Sequence, residues 1–156
     1  MRLIRNSNKG VSVIEIMVVM AILASALASL LGLINLSLGV SVLTRQTSQA
    51  TALAQEAMEA ARSIRDNAGW GKSANGSHGL AISGIGWDFA GTADAIDIFS
   101  RTVLIEDAQR DADDNIVLSG GTNDPNTKKI TATVSWQEKG RSRDVKLSAY
   151  LTNWKQ

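Results

Sequence analysis

Glu15 is a carboxylate at the edge of a long hydrocarbon run. No charged side chain follows it from Ile16 to Thr44. An acid inside a bilayer costs up to about 2.5–3.5 kcal/mol near the centre and less near the interface. A retained intramembrane acid marks function by default, and its partner is a cation or a proton. Three other groups invite a chemical reading. Asp111, Asp113 and Asn115 have the first three spacings of a calcium loop. The sixth position is Ile116 rather than glycine, and the twelfth is Thr122 rather than glutamate. Turn chemistry alone accounts for these residues as an acidic, solvated turn between two strands, so they are weak metal candidates and no metal is expected. His78 is the sole histidine and sits in a glycine–serine segment without a nucleophile motif. Gly84-Ile85-Gly86 lacks the third glycine, the preceding strand and the following helix of a dinucleotide loop. No paired carboxylates stand out. The expectation is no catalytic residue, no cofactor and no enzyme.

Composition narrows the classes further. With 156 residues, one small domain plus a helix is the natural count. Sixteen basic and 15 acidic side chains give a net charge of +1, which offers no argument for a nucleic-acid partner. Lys128-Lys129 and the charges from Lys139 to Arg143 read as solubilising turn residues. The absence of cysteine excludes disulfides, thiolate catalysis and zinc–thiolate sites.

The element that positions Glu15 is the stretch from Gly10 to Thr44, longer than the roughly 20 apolar residues a helix needs to cross a bilayer. A basic leader precedes it, with Arg2, Arg5 and Lys9 balanced by no acid. A cleaved secretory signal has a shorter apolar part, about 7–15 residues, with small residues after it. Here Ala24, Ala26, Ala28 and Gly32 are scattered inside the run. A plain signal anchor explains the length and the positive-inside leader but not Glu15. Such an anchor, carrying a head that binds a surface, a carbohydrate or DNA, is the alternative reading.

Past Arg45 the helix is expected to continue. Leu43, Ala50, Leu53, Ala57, Ala60 and Ile64 form one apolar face, with Gln49, Glu56, Glu59, Arg62 and Ser63 opposite. Glu59 with Arg62, and Arg62 with Asp66, are spaced for local ion pairs. The helix is read from Ser12 to Arg65, a rod of roughly 80 Å. Met17, Met20 and Met58 read as packing residues. Gly32 and Gly39 weaken it by about 1 kcal/mol each relative to alanine. Residues 66–98 carry eight glycines or turn formers with Trp70, Trp87 and Phe89 interleaved, which reads as a long connecting loop. Strands follow at Thr102–Glu106 and Ile116–Leu118. Two period-two patterns then run through Ile130, Ala132, Val134 and Trp136, and through Val145, Leu147, Ala149 and Leu151. Gln137 to Ser142 joins the last two as a hairpin, and the sole proline, Pro125, is placed in a loop. The fold class is therefore α+β: a long helix on a small antiparallel sheet of about 3–4 strands. The organisation expected is leader 1–10, membrane or core helix 11–44, amphipathic helix 45–66 and globular head 67–156.

Lys9-Gly10 followed by Val-Ser-Val-Ile-Glu-Ile-Met-Val-Val resembles the class III signal of type IV pilins and type II secretion pseudopilins. Val-Ser-Trp, Arg-Asp-Val-Lys-Leu and Tyr-Leu-Thr-Asn-Trp near the C-terminus resemble minor pilins of the pilus-modification type. The resemblance implies cleavage by a prepilin peptidase between Gly10 and Val11, N-methylation of Val11, and use of Glu15 in filament assembly. Val11 stands where the family usually has phenylalanine or methionine, and Ser12-Val13 replaces the commoner threonine–leucine. The implied partners are other pilin subunits, the peptidase, an ATP-driven inner-membrane assembly machinery, and membrane lipid before assembly. The implied location is single-pass, leader in the cytoplasm and head outside, then a periplasmic or extracellular filament. Glycine in this part of the helix marks, in the family, where it loosens on assembly, and Gly32 is the position indicated. Some pseudopilins bind calcium in the sheet region, which bears on Asp111, Asp113 and Asn115.

Overall fold

The computed structural model describes residue 10, residues 12–84 and residues 86–154. The leader ahead of Gly10, and Val11, lie outside the described residues. The chain divides into two compact units, Met1–Val42 and Leu43–Gln156. Helix α1 runs Val13–Ala68, a residue later at its start and three later at its end than the sequence reading.

In the first unit the helix is apolar on every side. Its most apolar 18-residue window has a mean hydropathy of 2.5, long and apolar enough to cross a membrane. Large side chains from Val13 to Val42 are exposed all round. Met17 and Met20 are among them, so packing within this unit does not explain them. Two of its serines are satisfied locally. Ser25 Oγ donates to the Ile22 carbonyl at 2.8 Å, and Ser29 Oγ to the Ser25 carbonyl at 2.9 Å. A hydroxyl bonded back to its own helix carries no unmet polar demand into an apolar medium.

The second unit is the head. The rest of α1 buries Ala50, Ala54, Ala57, Met58, Ala60, Ala61 and Ile64. Five alanines on that face leave room for close approach, and the sheet fills it. The strands are β1 (Gly76–Ser83), β2 (Gly86–Ala90), β3 (Asp94–Ile96), β4 (Phe99–Arg110), β5 (Ile116–Val117), β6 (Thr122–Glu138) and β7 (Arg141–Thr152). They form one antiparallel sheet in the order β2-β1-β4-β6-β7, with β3 and β5 also paired to β4. The α+β class holds, but the sheet has seven strands rather than three or four. Val103, Ile105, Ile130, Ala132, Val134 and Trp136 are buried with the helix alanines in one core. These are the inward positions of the period-two pattern.

The extra strands come from residues 76–96, which read as loop because of their glycines. Gly79 is not punctuation. A Cβ there would lie 2.6 Å from the Ala90 carbonyl oxygen and 2.6 Å from the Ala93 carbonyl carbon. The glycine lets two backbones touch, a use of glycine that strands also make. Gly84, with φ 62°, turns the chain from β1 toward β2. The β6–β7 ladder runs through Gln137↔Ser142 and Glu138↔Arg141. Its turn is thus only Lys139-Gly140, both at positive φ (48° and 76°), the type that matches strand twist. Pro125 lies within β6, at the register shift opposite Asp107 and Ala108. Its missing N–H does no harm where the ladder is already interrupted.

Candidate functional site at the helix start

Gly10 precedes the helix and is exposed, with open space where a Cβ would stand. The Ser12 carbonyl accepts from Glu15 N at 3.0 Å and from Ile16 N at 3.2 Å. Ser12 therefore caps the helix, and Glu15 lies in its first turn. Ser-x-x-Glu is the spacing of a capping box, and an acid in the first turn suits the positive end of the helix dipole. Among the described residues Glu15 forms no ion pair. Ile16, Val19 and Met20 share a shallow hollow with it. The arrangement is an exposed acid on an apolar surface.

The other residues singled out by sequence sit apart from it. His78 is on β1, not in a loop; its Nε2 lies 2.9 Å from the Ala74 carbonyl, and its ring lies 5.0 Å from that of Phe89. Asp111, Asp113 and Asn115 form the β4–β5 turn. Asp111 Oδ1 accepts from Asp113 N at 3.0 Å and from Asn115 N at 2.8 Å. The Asn115 backbone bond, above all, holds the Asp111 carboxyl below its ordinary range. That carboxylate is occupied by backbone amides, as in an Asx turn. No group of three or more His, Cys, Asp or Glu suited to a metal ion occurs among the described residues. Gly84 and Gly86 flank the β1–β2 turn; Ile85 lies outside the described residues. The expected Glu59–Arg62 pair is present at 2.6 Å, whereas Asp66 pairs with Arg65 at 2.8 Å rather than with Arg62.

Two polar clusters of the head carry no signal in the sequence. Arg101 on β4 is 2% exposed. It donates to Asp94 at 2.9 Å, to Glu56 at 2.8 Å and to the Leu53 carbonyl at 3.5 Å, and lies 5.8 Å from the Trp87 ring centroid. Burial pulls its pKa down, but the bonds to Asp94 and Glu56 outweigh that and raise it. It ties the helix to β2 and β3. In the second cluster, Lys128 on β6 pairs with Asp107 on β4, and Asn75 bonds to both. The Lys128 hydrogen bond, then that of Asn75, holds the Asp107 carboxyl below its ordinary range.

Comparison with known proteins bears on the helix start. The family model described as the prokaryotic N-terminal methylation motif matches residues 5–31. No curated protein and no solved structure matches the chain. The match takes in Lys9-Gly10, Glu15 and the first turns of α1, and leaves the head unmatched. Over residues 5–31 the chain carries the prokaryotic N-terminal methylation motif, set at the head of an apolar helix, and in that segment it is similar to type IV pilin-like proteins.

Proposed function

We propose that this protein is a minor pilin or pseudopilin, a structural subunit of a type IV pilus-like or type II secretion filament, and not an enzyme. The observation that carries the reading is the methylation motif at residues 5–31 running into a helix apolar on every face. The precursor sits in the inner membrane with its basic leader in the cytoplasm and its head outside. A prepilin peptidase removes Met1 to Gly10. The new α-amine at Val11, N-methylated, is a cation near neutral pH. In a filament core it needs an anion, and Glu15 of a neighbouring subunit supplies it. Such a buried pair adds little net stability. Leaving one member unpaired costs about 3–5 kcal/mol, so wrong stagger is penalised and register is set. The apolar helix trades lipid contacts for helix contacts on assembly, so that transfer is not opposed by exposure of hydrocarbon to water.

The test is co-expression with a prepilin peptidase and assembly machinery, followed by N-terminal sequencing and filament isolation. A mature chain beginning at Val11 is expected. Glu15→Gln should be cut like the wild type yet lose filament incorporation at least about tenfold, the factor for only 1.4 kcal/mol of mis-set register. A chain still beginning at Met1 in its working state, or a Glu15→Gln protein that polymerises normally, would leave only a membrane anchor.

A further inference from the structure

We propose that Lys128 and Asn75 become joined by an intramolecular isopeptide bond, formed in the folded head with Asp107 as proton relay. The three side chains form a closed triangle. Lys128 Nζ lies 2.8 Å from Asn75 Oδ1, Asn75 Nδ2 lies 2.8 Å from Asp107 Oδ2, and Lys128 Nζ also pairs with Asp107 Oδ1. A primary amine, the carboxamide it can attack and a carboxyl touching both are the complete set of groups for amide exchange. An Nζ within hydrogen-bond reach of the amide oxygen needs only a small swing to meet the carbon that bears it. Holding reactants this way is worth effective molarities of roughly 10⁵ M and above.

The fold supplies this alignment from three neighbouring strands. Asn75 immediately precedes β1, whose Gly76 pairs with Ile105 of β4. Asp107 is on β4, and its register partner on β6 is Lys128, at the last regular rung before the register shift. Lys128 thus reaches across the middle strand to the lead-in of β1. The lysine and aspartate side chains are 13% and 24% exposed. The resting pair is charged, since the bonds from Lys128 and Asn75 hold Asp107 ionised, and the reactive amine arises by proton transfer within the pair.

The step balances without a co-reactant. The Lys128 ammonium gives one proton to Asp107, and the free amine attacks Asn75 Cγ to form a new C–N bond. As that nitrogen sheds a second proton to the relay, Asp107 protonates Nδ2, and the Cγ–Nδ2 bond breaks. Ammonium leaves, Asp107 ends as the carboxylate it began as, and nothing is oxidised or reduced. The carboxyl acts as general acid and base at two atoms it already touches. The chain contains no cysteine, so this is the head's route to a covalent cross-link. The inference is independent of filament assembly.

The full-length protein, purified in detergent, tests it by intact mass and tryptic digestion. The wild type should weigh less than its sequence by one ammonia. Its peptide from Ser73 to Arg101 should appear coupled to the peptide from Asp111 to Lys129. Coupling should vanish in Lys128→Arg, Asn75→Ala and Asp107→Asn. Two separate linear peptides and an unchanged mass in the wild type would overturn the proposal, whatever the variants do. Asn75-Gly76 offers a second way to lose ammonia, by cyclisation onto the Gly76 nitrogen. A loss that persists in Lys128→Arg would assign the chemistry to that cyclisation and overturn the cross-link. Coupling that survives in Asp107→Asn would remove Asp107 as relay.

Discussion

Asp124 is a carboxylate whose ionised form the fold holds tightly. Arg110 Nε donates to it at 2.8 Å, and the Asn126 amide donates at 2.9 Å. The Arg110 bond first, then those from Thr127 and Asn126, bring its pKa down to about 2. The folded value lies below the ordinary one, near 3.9, so the unfolded chain binds the proton first as pH falls. The stabilisation is whole above that ordinary value and disappears as pH drops through about 2. Melting temperature followed from about pH 5 to pH 2 should therefore fall, and Asp124→Asn should flatten the fall. Asp107 and Asp111 are lowered as well, so a remainder of the slope persists in that variant. An unchanged slope would mean that Asp124 is not held this way. Residues at this scale differ in how openly the sequence declares them. Glu15 stands out because it is an acid bordering a charge-free run, a contrast visible without any structure. Arg101 does not, since its partner Glu56 is 45 positions away and the two meet only when β4 packs on the helix. A lone arginine in a strand looks like a solvated one.

At the scale of elements, periodicity told most where one face is buried and one is wet. The helix stripe and the inward residues of β6 and β7 follow their expected periods, because burial on one face imposes the repeat. The stretch from 76 to 96 failed that reading. β2 has half-buried residues at four of its five positions, so no alternation of burial marks it, and the glycines of this stretch resemble turn residues. Gly79 shows the physical difference between a glycine that bends the chain and one that admits a neighbour. Around a Cβ at that position, the atoms at 2.6–2.7 Å are all backbone, of Ala90 and Ala93, and no flexible side chain can yield. Gly79→Ala should therefore destabilise the head by about 1–3 kcal/mol, the cost of overpacking. Gly71→Ala, with open space around the added carbon, should stay within about 0.5 kcal/mol. Denaturant unfolding of the two variants checks this. Equal midpoints would return residues 76–96 to the loop of the sequence reading.

For the whole molecule, the two units differ in what completes them. From Val13 to Val42 the first unit exposes large apolar side chains all round, a surface suited to an apolar medium rather than to water. The unit Leu43–Gln156 has its own core, in which the helix side is mostly small alanines that contribute little apolar area each. A head of that kind gains much from a constraint on its unfolded state. The Lys128–Asn75 link spans 53 positions, and in the chain-entropy view closing a loop of that size stabilises by about 4 kcal/mol. Total stabilities are commonly about 5–15 kcal/mol, so this is a large share. Asn75→Ala separates the link from the ion pair beside it, because Lys128 and Asp107 both remain. Without a covalent bond, the variant loses only two exposed hydrogen bonds, about 1 kcal/mol each at most and a few degrees in melting temperature. With the bond, the fall should reach roughly 10–20 °C, the equivalent of about 4 kcal/mol for a domain of this size. Scanning calorimetry of the wild type and Asn75→Ala decides between the two. The larger fall would mean that a cysteine-free head holds its first and third neighbouring strands together by covalent chemistry across the strand between them.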